Sequence, residues 1–218
     1  MENPRKTVLI FDFDGTIADT HHYIVELSNR LSKEFHYKKI LPEELPELKD
    51  KTAHEIIQHL KVPLTKVPAI VSRAKKEFQK DIQALEPIKG LKEALHYLKS
   101  AGTCIGILSS NAADNIKAFL RNHDLDFFDF THSTTSIWGK HICLNKVISQ
   151  NGLKKEDVVY VGDEIRDIDA AKKLGVKVAA VTWGYNSAKA LKKMNPDFLL
   201  EDPQDLLNLI SPATVPSF

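Results

Sequence analysis

Thr7-Val8-Leu9-Ile10-Phe11-Asp12-Phe13-Asp14-Gly15-Thr16-Ile17-Ala18 is the stretch whose reading decides the fold. The run Thr7–Phe11 is apolar without alternation, the pattern of a strand buried on both faces of a parallel sheet. Asp12 and Asp14 follow two apart, so at a strand end both carboxylates point to the same side. Gly15 lets the backbone turn sharply there, and Thr16 adds a hydroxyl. Open α/β folds bind their ligands at the carboxyl edge of the parallel sheet. Two acids at that edge repel each other unless a cation lies between them, and a divalent ion with oxygen ligands meets that need. An isolated Asp-x-Asp would more simply be a turn or a helix cap. Here the acids, the glycine and the threonine are contiguous and follow a clean strand.

Outward from this stretch the chain changes character twice. Residues 18–84 carry no strand signal. Helical patterns run over about 20–35, 43–48, 53–60 and 66–85, and Pro42, Pro46, Pro63 and Pro68 mark the joints. From Gly90 onward helix and strand alternate. Strands are predicted over 103–108, 128–131, 158–161, 178–181 and 198–200, with helices over 91–100, 112–122, 140–151 and 168–174 between them. Such alternation implies right-handed crossovers and a parallel sheet. The fold expected is α/β: a doubly wound, Rossmann-like parallel sheet core formed by 1–17 and 85–218, with an all-helical domain, 18–84, inserted into it. The insert leaves just after Gly15-Thr16, which sets it over the strand end bearing Asp12 and Asp14, with hinges near 17–19 and 85–90.

Two further strand ends carry polar groups. Ser109-Ser110-Asn111 closes one strand and opens a helix, where a hydroxyl, an amide and unpaired N–H groups suit a phosphate oxygen. Val158-Val159-Tyr160-Val161-Gly162-Asp163 is again a strand ending in an acid, followed by Glu164, Arg166 and Asp167. Acids at a helix start also fit the helix dipole, which explains Glu164, Asp167 and Asp169 without a ligand. Asp163 is less readily explained that way, because Gly162-Asp163 terminates an apolar strand.

These motifs, in this order, resemble those of the haloacid dehalogenase superfamily. Asp12-x-Asp14-Gly15-Thr16 matches its first motif in the phosphatase form, and Gly162-Asp163-x-x-x-Asp167 its fourth. Ser110 matches the second motif, with Ser109 as competitor, and Lys140 after Gly139 matches the third, with Lys146 as rival. The layout is similar to phosphoglycolate phosphatase-like hydrolases, in which the helical insert is called a cap. His141 after Lys140 departs from the Lys-Pro pattern frequent there. The resemblance implies a magnesium-dependent hydrolase of small phosphate monoesters. Asp12 would attack phosphorus, and Asp14 would protonate the leaving alkoxide and then activate water. Mg2+ would be held by the Asp12 carboxylate, the Asp14 backbone carbonyl and Asp163, with Asp167 as a further ligand or the holder of a metal-bound water. Ser110, Lys140, Gly15, Thr16 and Asn111 would receive the phosphate oxygens, Gly15 and Asn111 through backbone N–H groups. A phosphomutase of the same superfamily and a non-enzymatic phosphate-sensing module are the alternatives.

The bulk of the sequence fits this reading. The chain has 218 residues, 43% hydrophobic and 27% charged, with a formal net charge of +1. That balance gives no field for nucleic acid or an anionic membrane surface. No apolar run is long enough to span a bilayer, and Met1–Lys6 do not resemble a secretory leader. Cys104 and Cys143 are too far apart in sequence to suggest a framework, so reduced thiols in the cytoplasm are expected. The expected partner is therefore a small phosphate ester. His21, His22, Arg30, His36, Lys51 and His54 of the insert could face it, though solvated or satisfied surface roles suit each of them better. Trp183, in the segment after the fifth strand, reads as core. The oligomeric state is not legible.

Overall fold

Val8–Phe11 form β1, and all four residues are buried. The structure, a computed structural model, describes residues 7–134 and 139–210; Met1–Lys6 lie outside them. After β1 come four helices: α1 (His21–Phe35), α2 (Leu45–Leu48), α3 (Ala53–His59) and α4 (Val67–Asp81). Helices and strands then alternate through α5 (Leu91–Ser100), β2 (Cys104–Ser109), α6 (Ala113–Asn122), β3 (Phe130–Ser133) and α7 (Lys140–Gln150). The series closes with β4 (Val158–Gly162), α8 (Ile165–Leu174), β5 (Lys177–Val181), α9 (Ala188–Lys193) and β6 (Phe198–Leu200).

The six strands form one sheet, ordered β3-β2-β1-β4-β5-β6, and every neighbouring pair is parallel. The chain winds outward from β1 through β2 and β3, returns to its other side, and continues through β4, β5 and β6. The point where the winding reverses, between β1 and β4, is where such sheets leave a crevice at their carboxyl ends. Alternate strand residues supply two cores. Leu9, Phe11, Ile105, Ile107, Val159 and Val161 pack with α5 and α6 on one face. Val8, Ile10, Leu108, Val158 and Tyr160 pack with α7, α8 and α9 on the other. Fully burying one such side chain contributes about 1.5–3 kcal/mol, so the unbroken apolar run of β1 holds both layers to the sheet.

The two crossings into and out of the helical segment run side by side. Ala18 and Pro87 form an antiparallel bridge, Asp19 N–H donates to the Glu86 carbonyl at 2.9 Å, and Ile88 N–H donates to the Ile17 carbonyl at 2.9 Å. Several boundaries differ from the sequence expectation. Helix α8 starts at Ile165 and not at Ile168, because Glu164 and Asp167 cap its first turn, with Glu164 N–H donating to Asp167 Oδ2 at 3.0 Å. The stretch 43–48 divides into a 3₁₀ turn, Pro42–Glu44, and the single turn of α2. Helix α9, capped by Ser187, and a 3₁₀ segment at Pro203–Leu209 were not anticipated. Cys104 and Cys143 are half-buried.

Candidate active site

Asp12 is the first residue beyond β1. Its N–H donates to the Val161 carbonyl at 2.8 Å, which extends the β1–β4 ladder by one step and fixes the carboxylate at the crevice. The residue is buried, with 3% of its surface exposed. Oδ1 accepts from Phe13 N–H at 2.8 Å and Oδ2 from Lys140 Nζ at 2.5 Å. Lys140 opens α7 directly after Gly139, and the same ammonium bonds Asp167 Oδ1. Burial opposes the charge on Lys140, but the Asp12 and Asp167 carboxylates outweigh it and hold its pKa well above the ordinary lysine value. The ammonium also lies 5.3 Å from the centre of the buried Tyr160 ring. Lys146 is exposed on α7, and its charge is felt by His132 on β3.

Asp163 follows β4 and is fully buried. Its Oδ1 accepts from the Thr16 hydroxyl at 2.6 Å and its Oδ2 from Tyr185 N–H at 2.7 Å. Two glycines make room for it. Gly15 has φ +76°, a conformation that side chains resist, and a Cβ there would meet Asp163 Oδ2 at 2.4 Å. A Cβ on Gly184 would lie 2.2 Å from the same oxygen. Asp12, Asp163 and Asp167 each offer an oxygen within 4.8 Å of the others, and all three are buried. Each oxygen of these carboxylates already accepts one hydrogen bond, which orients it and leaves lone pairs for a cation. Glu164 and Asp14 add negative charge nearby, whereas Lys140 and Arg166 are the adjacent bases. Burial first, then the neighbouring acids Glu164, Asp167 and Asp12, push the Asp163 carboxyl well above the usual carboxylate range. Burial raises Asp167 to about 6, with Lys140 pulling against it. A buried, acid-rich cluster of hard oxygen donors fits a magnesium ion in both charge and donor type.

Asp14 lies on the other side of the turn and is half-buried. Asn111 Nδ2 reaches both of its oxygens at 3.3 Å. Burial, followed by the Asp12 charge, raises its pKa to about 7. Ser110 is half-buried and borders the same cleft as Asp14 and Asn111, together with Phe78 and Lys75 of α4. Ser109 is fully buried. Three expected contacts take other partners. Asn111 N–H donates to Ser109 Oγ at 2.9 Å, Gly15 N–H donates to the Ala18 carbonyl at 2.9 Å, and the Thr16 hydroxyl goes to Asp163. The cause is local. The 13–18 turn closes on itself, with Ile17 and Ala18 N–H groups on the Phe13 carbonyl, and the Ser109 hydroxyl closes a short turn of its own.

The helical segment covers this edge. A cavity of about 180 Å3 lies among its helices, lined by His21, Val25, Leu48, Lys49 and Lys51 among others and closed on the core side by Glu164, Tyr185 and Asn186. His21 and Lys51 thus face a shared space with the core, whereas His54 borders a separate cleft beside Lys140 and Arg166. His22 and Arg30 are exposed and lie beside Glu26 and Asp81. Trp183 is half-buried and donates from Nε1 to the Thr16 carbonyl at 3.2 Å, bracing the first turn. The segment 182–187 follows β5 and so reaches the same sheet edge as Asp12 and Asp163, which brings Tyr185 and Asn186 to the site. Arg166 joins them from the first turn of α8.

The family model described as haloacid dehalogenase-like hydrolase matches residues 9–181. A phosphoglycolate phosphatase of Synechococcus elongatus is 33% identical over 204 residues, spanning 93% of this chain and 96% of its own. The pyrophosphatase PpaX of Bacillus cereus is 27% identical over 216 residues, spanning 93% and 95%. A solved haloacid dehalogenase-like family hydrolase from Streptococcus pneumoniae superposes with a TM-score of 0.79 at 18% identity, over 95% of this chain and 99% of that one. Among the described residues no helix is long and apolar enough to cross a membrane.

Proposed function

The chain belongs to the haloacid dehalogenase-like hydrolases, and from that premise we propose that it is a magnesium-dependent phosphatase of small phosphate monoesters, similar to phosphoglycolate phosphatase. One observation carries the reading. Lys140 Nζ stands 2.5 Å from Asp12 Oδ2 at the sheet's crevice, with Asp163 and Asp167 grouped around the same carboxylate. A nucleophilic carboxylate beside a fixed cation is suited to an anionic electrophile.

Asp12 attacks phosphorus as the ester P–O bond breaks, and an aspartyl-phosphate forms. Asp14 gives its proton to the departing alkoxide. Its pKa near 7 keeps a protonated fraction available at neutral pH. The same carboxylate then takes a proton from the water that attacks the phospho-aspartate, which releases inorganic phosphate and restores Asp12. Asn111 steers Asp14 through its amide, and Ser110 and Lys140 hold phosphate oxygens. Magnesium would be held by Asp12, Asp163 and Asp167 with the Asp14 carbonyl, where it offsets the repulsion between the nucleophile and an anionic ester. Residues 18–84 act as a cap, and the cleft of about 160 Å3 where α4 faces Asp14, Ser110 and Asn111 supports a small leaving group.

The test is a panel of phosphate esters assayed with magnesium, with phosphate release as the readout. Sustained release from small esters such as phosphoglycolate, sugar phosphates or nucleoside monophosphates is expected. A phosphomutase would instead return the phosphoryl group to a second hydroxyl, and a sensing module would release none.

A further inference from the structure

We propose that Asn186 is a positioning residue that couples the cap loop Lys49–Lys51 to the backbone carrying the metal-binding acids, so that the two loops are held as one unit. The proposal rests on the reading of the site given above, and its structural half stands independently. Asn186 is 5% exposed, and its polar side chain faces in two directions. Toward the cap, Nδ2 donates to the carbonyls of Lys49 and Lys51, both at 2.9 Å. Toward the core, Oδ1 accepts from Ile165 N–H at 2.9 Å, and the Asn186 N–H donates to the Asp163 carbonyl at 3.2 Å.

The core end of this contact matters for the acids. Ile165 is the first residue of α8, and its N–H has no acceptor within the helix. Asn186 supplies that acceptor, and so fixes the start of the helix whose first turn carries Asp167. Asp163 stands two residues before Ile165. At the cap end, Lys49 and Lys51 line the cap cavity together with Glu164 and with Tyr185, whose N–H holds Asp163. One buried amide therefore spans the cap loop that lines this cavity and the loop that presents the carboxylates.

Neighbouring contacts reinforce the junction. Ser187 N–H donates to the Lys49 carbonyl at 2.9 Å, Lys49 Nζ to the Gly184 carbonyl at 3.2 Å, and Asp50 meets the Ser187 hydroxyl and Lys189. The Lys189–Asp50 pair is solvent-facing and contributes little. Asn186 differs in being buried with every side-chain donor and acceptor used. Withdrawing the loop would strand two of its donors and leave the Lys51 carbonyl without this partner.

Two substitutions separate the two ends. Asn186→Asp keeps an oxygen for Ile165 N–H but turns a carboxylate oxygen toward the two cap carbonyls, so only the cap end is lost. Asn186→Ala loses both. Hydrogen exchange of the amides at 49–52 should accelerate at least about tenfold in both variants, and that at 165–168 only in Asn186→Ala. With Asn186→Asp, KM for the best small ester should rise about tenfold while the magnesium half-saturation stays within about twofold. With Asn186→Ala, the magnesium half-saturation should also rise by about tenfold. A merely structural residue would lower kcat for every ester alike and leave this division absent. In the unaltered chain, protection at 49–52 and 165–168 should fall together along a urea series, which decides the point even if a variant fails to fold. Unchanged exchange at 49–52 in Asn186→Asp, or independent opening of the two segments in the unaltered chain, would overturn the proposal. Absence of any phosphate release by the unaltered chain would instead overturn the functional reading, and the exchange results would still decide the coupling.

Discussion

Replacing Lys140 by Met tests the electrostatic arrangement of the site without touching its acids. Methionine has a similar reach and fills similar space, but carries no charge. In the unaltered chain one ammonium serves Asp12 and Asp167, with side chains 4% and 0% exposed and that of Lys140 11% exposed. Removing one partner of a buried pair leaves uncompensated charge and costs about 3–5 kcal/mol. For a chain of this length each kcal/mol moves Tm by about 2–4 °C, so Lys140→Met in EDTA should melt roughly 6–20 °C lower. Magnesium should recover a large part of that deficit, because a cation among Asp12, Asp163 and Asp167 replaces the lost charge. Thermal unfolding followed by circular dichroism, with EDTA and with excess magnesium, measures both quantities. Turnover should stay depressed by about 10²–10³-fold even with magnesium, since a fixed donor to the phosphoryl group is gone. A Tm in EDTA within about 2 °C of the unaltered chain, or a deficit that magnesium leaves untouched, would show that Lys140 does not neutralise these buried acids.

Asp14→Asn should slow hydrolysis of alkyl phosphates by about 10²–10⁴-fold but affect p-nitrophenyl phosphate much less, because p-nitrophenolate departs without a proton. Equal losses on both substrates, compared in steady state, would remove Asp14 from the role of acid. Thr16→Val preserves shape and deletes the 2.6 Å hydrogen bond to Asp163. It should raise the magnesium half-saturation about 10–100-fold in an activity titration, and an unchanged value would show that Thr16 does not orient the carboxylate.

The sheet was legible because its signals are local. The apolar runs at Thr7–Phe11 and Val158–Val161 announce buried strands, and residues just past a strand end must lie at the sheet's edge. The sequence therefore already sets Asp12 and Asp163 at one edge. Lys140 could be selected over Lys146 from motif order and from its place after Gly139 at the start of a helix. The partners of Thr16, Gly15 N–H and Asn111 N–H were not legible. Those groups are committed by turn closure and by a contact across 147 residues of sequence, neither of which leaves a periodic trace. Asn186 was hidden for the same reason: its cap partners lie 135 and 137 residues away and are backbone carbonyls, which every residue possesses. The start of α8 at Ile165 is not legible in the helical period, because Glu164 and Asp167, which read as ligands or dipole partners, also cap the helix.

The central claim is that Asp12 becomes covalently phosphorylated during ester hydrolysis. Its most direct measurement compares steady-state phosphate release from the best small ester by the unaltered chain and by Asp12→Asn, both with magnesium and with folding verified by circular dichroism. The amide is a far poorer nucleophile, so sustained turnover is expected from the first and none from the second. Comparable phosphate release by Asp12→Asn would contradict it.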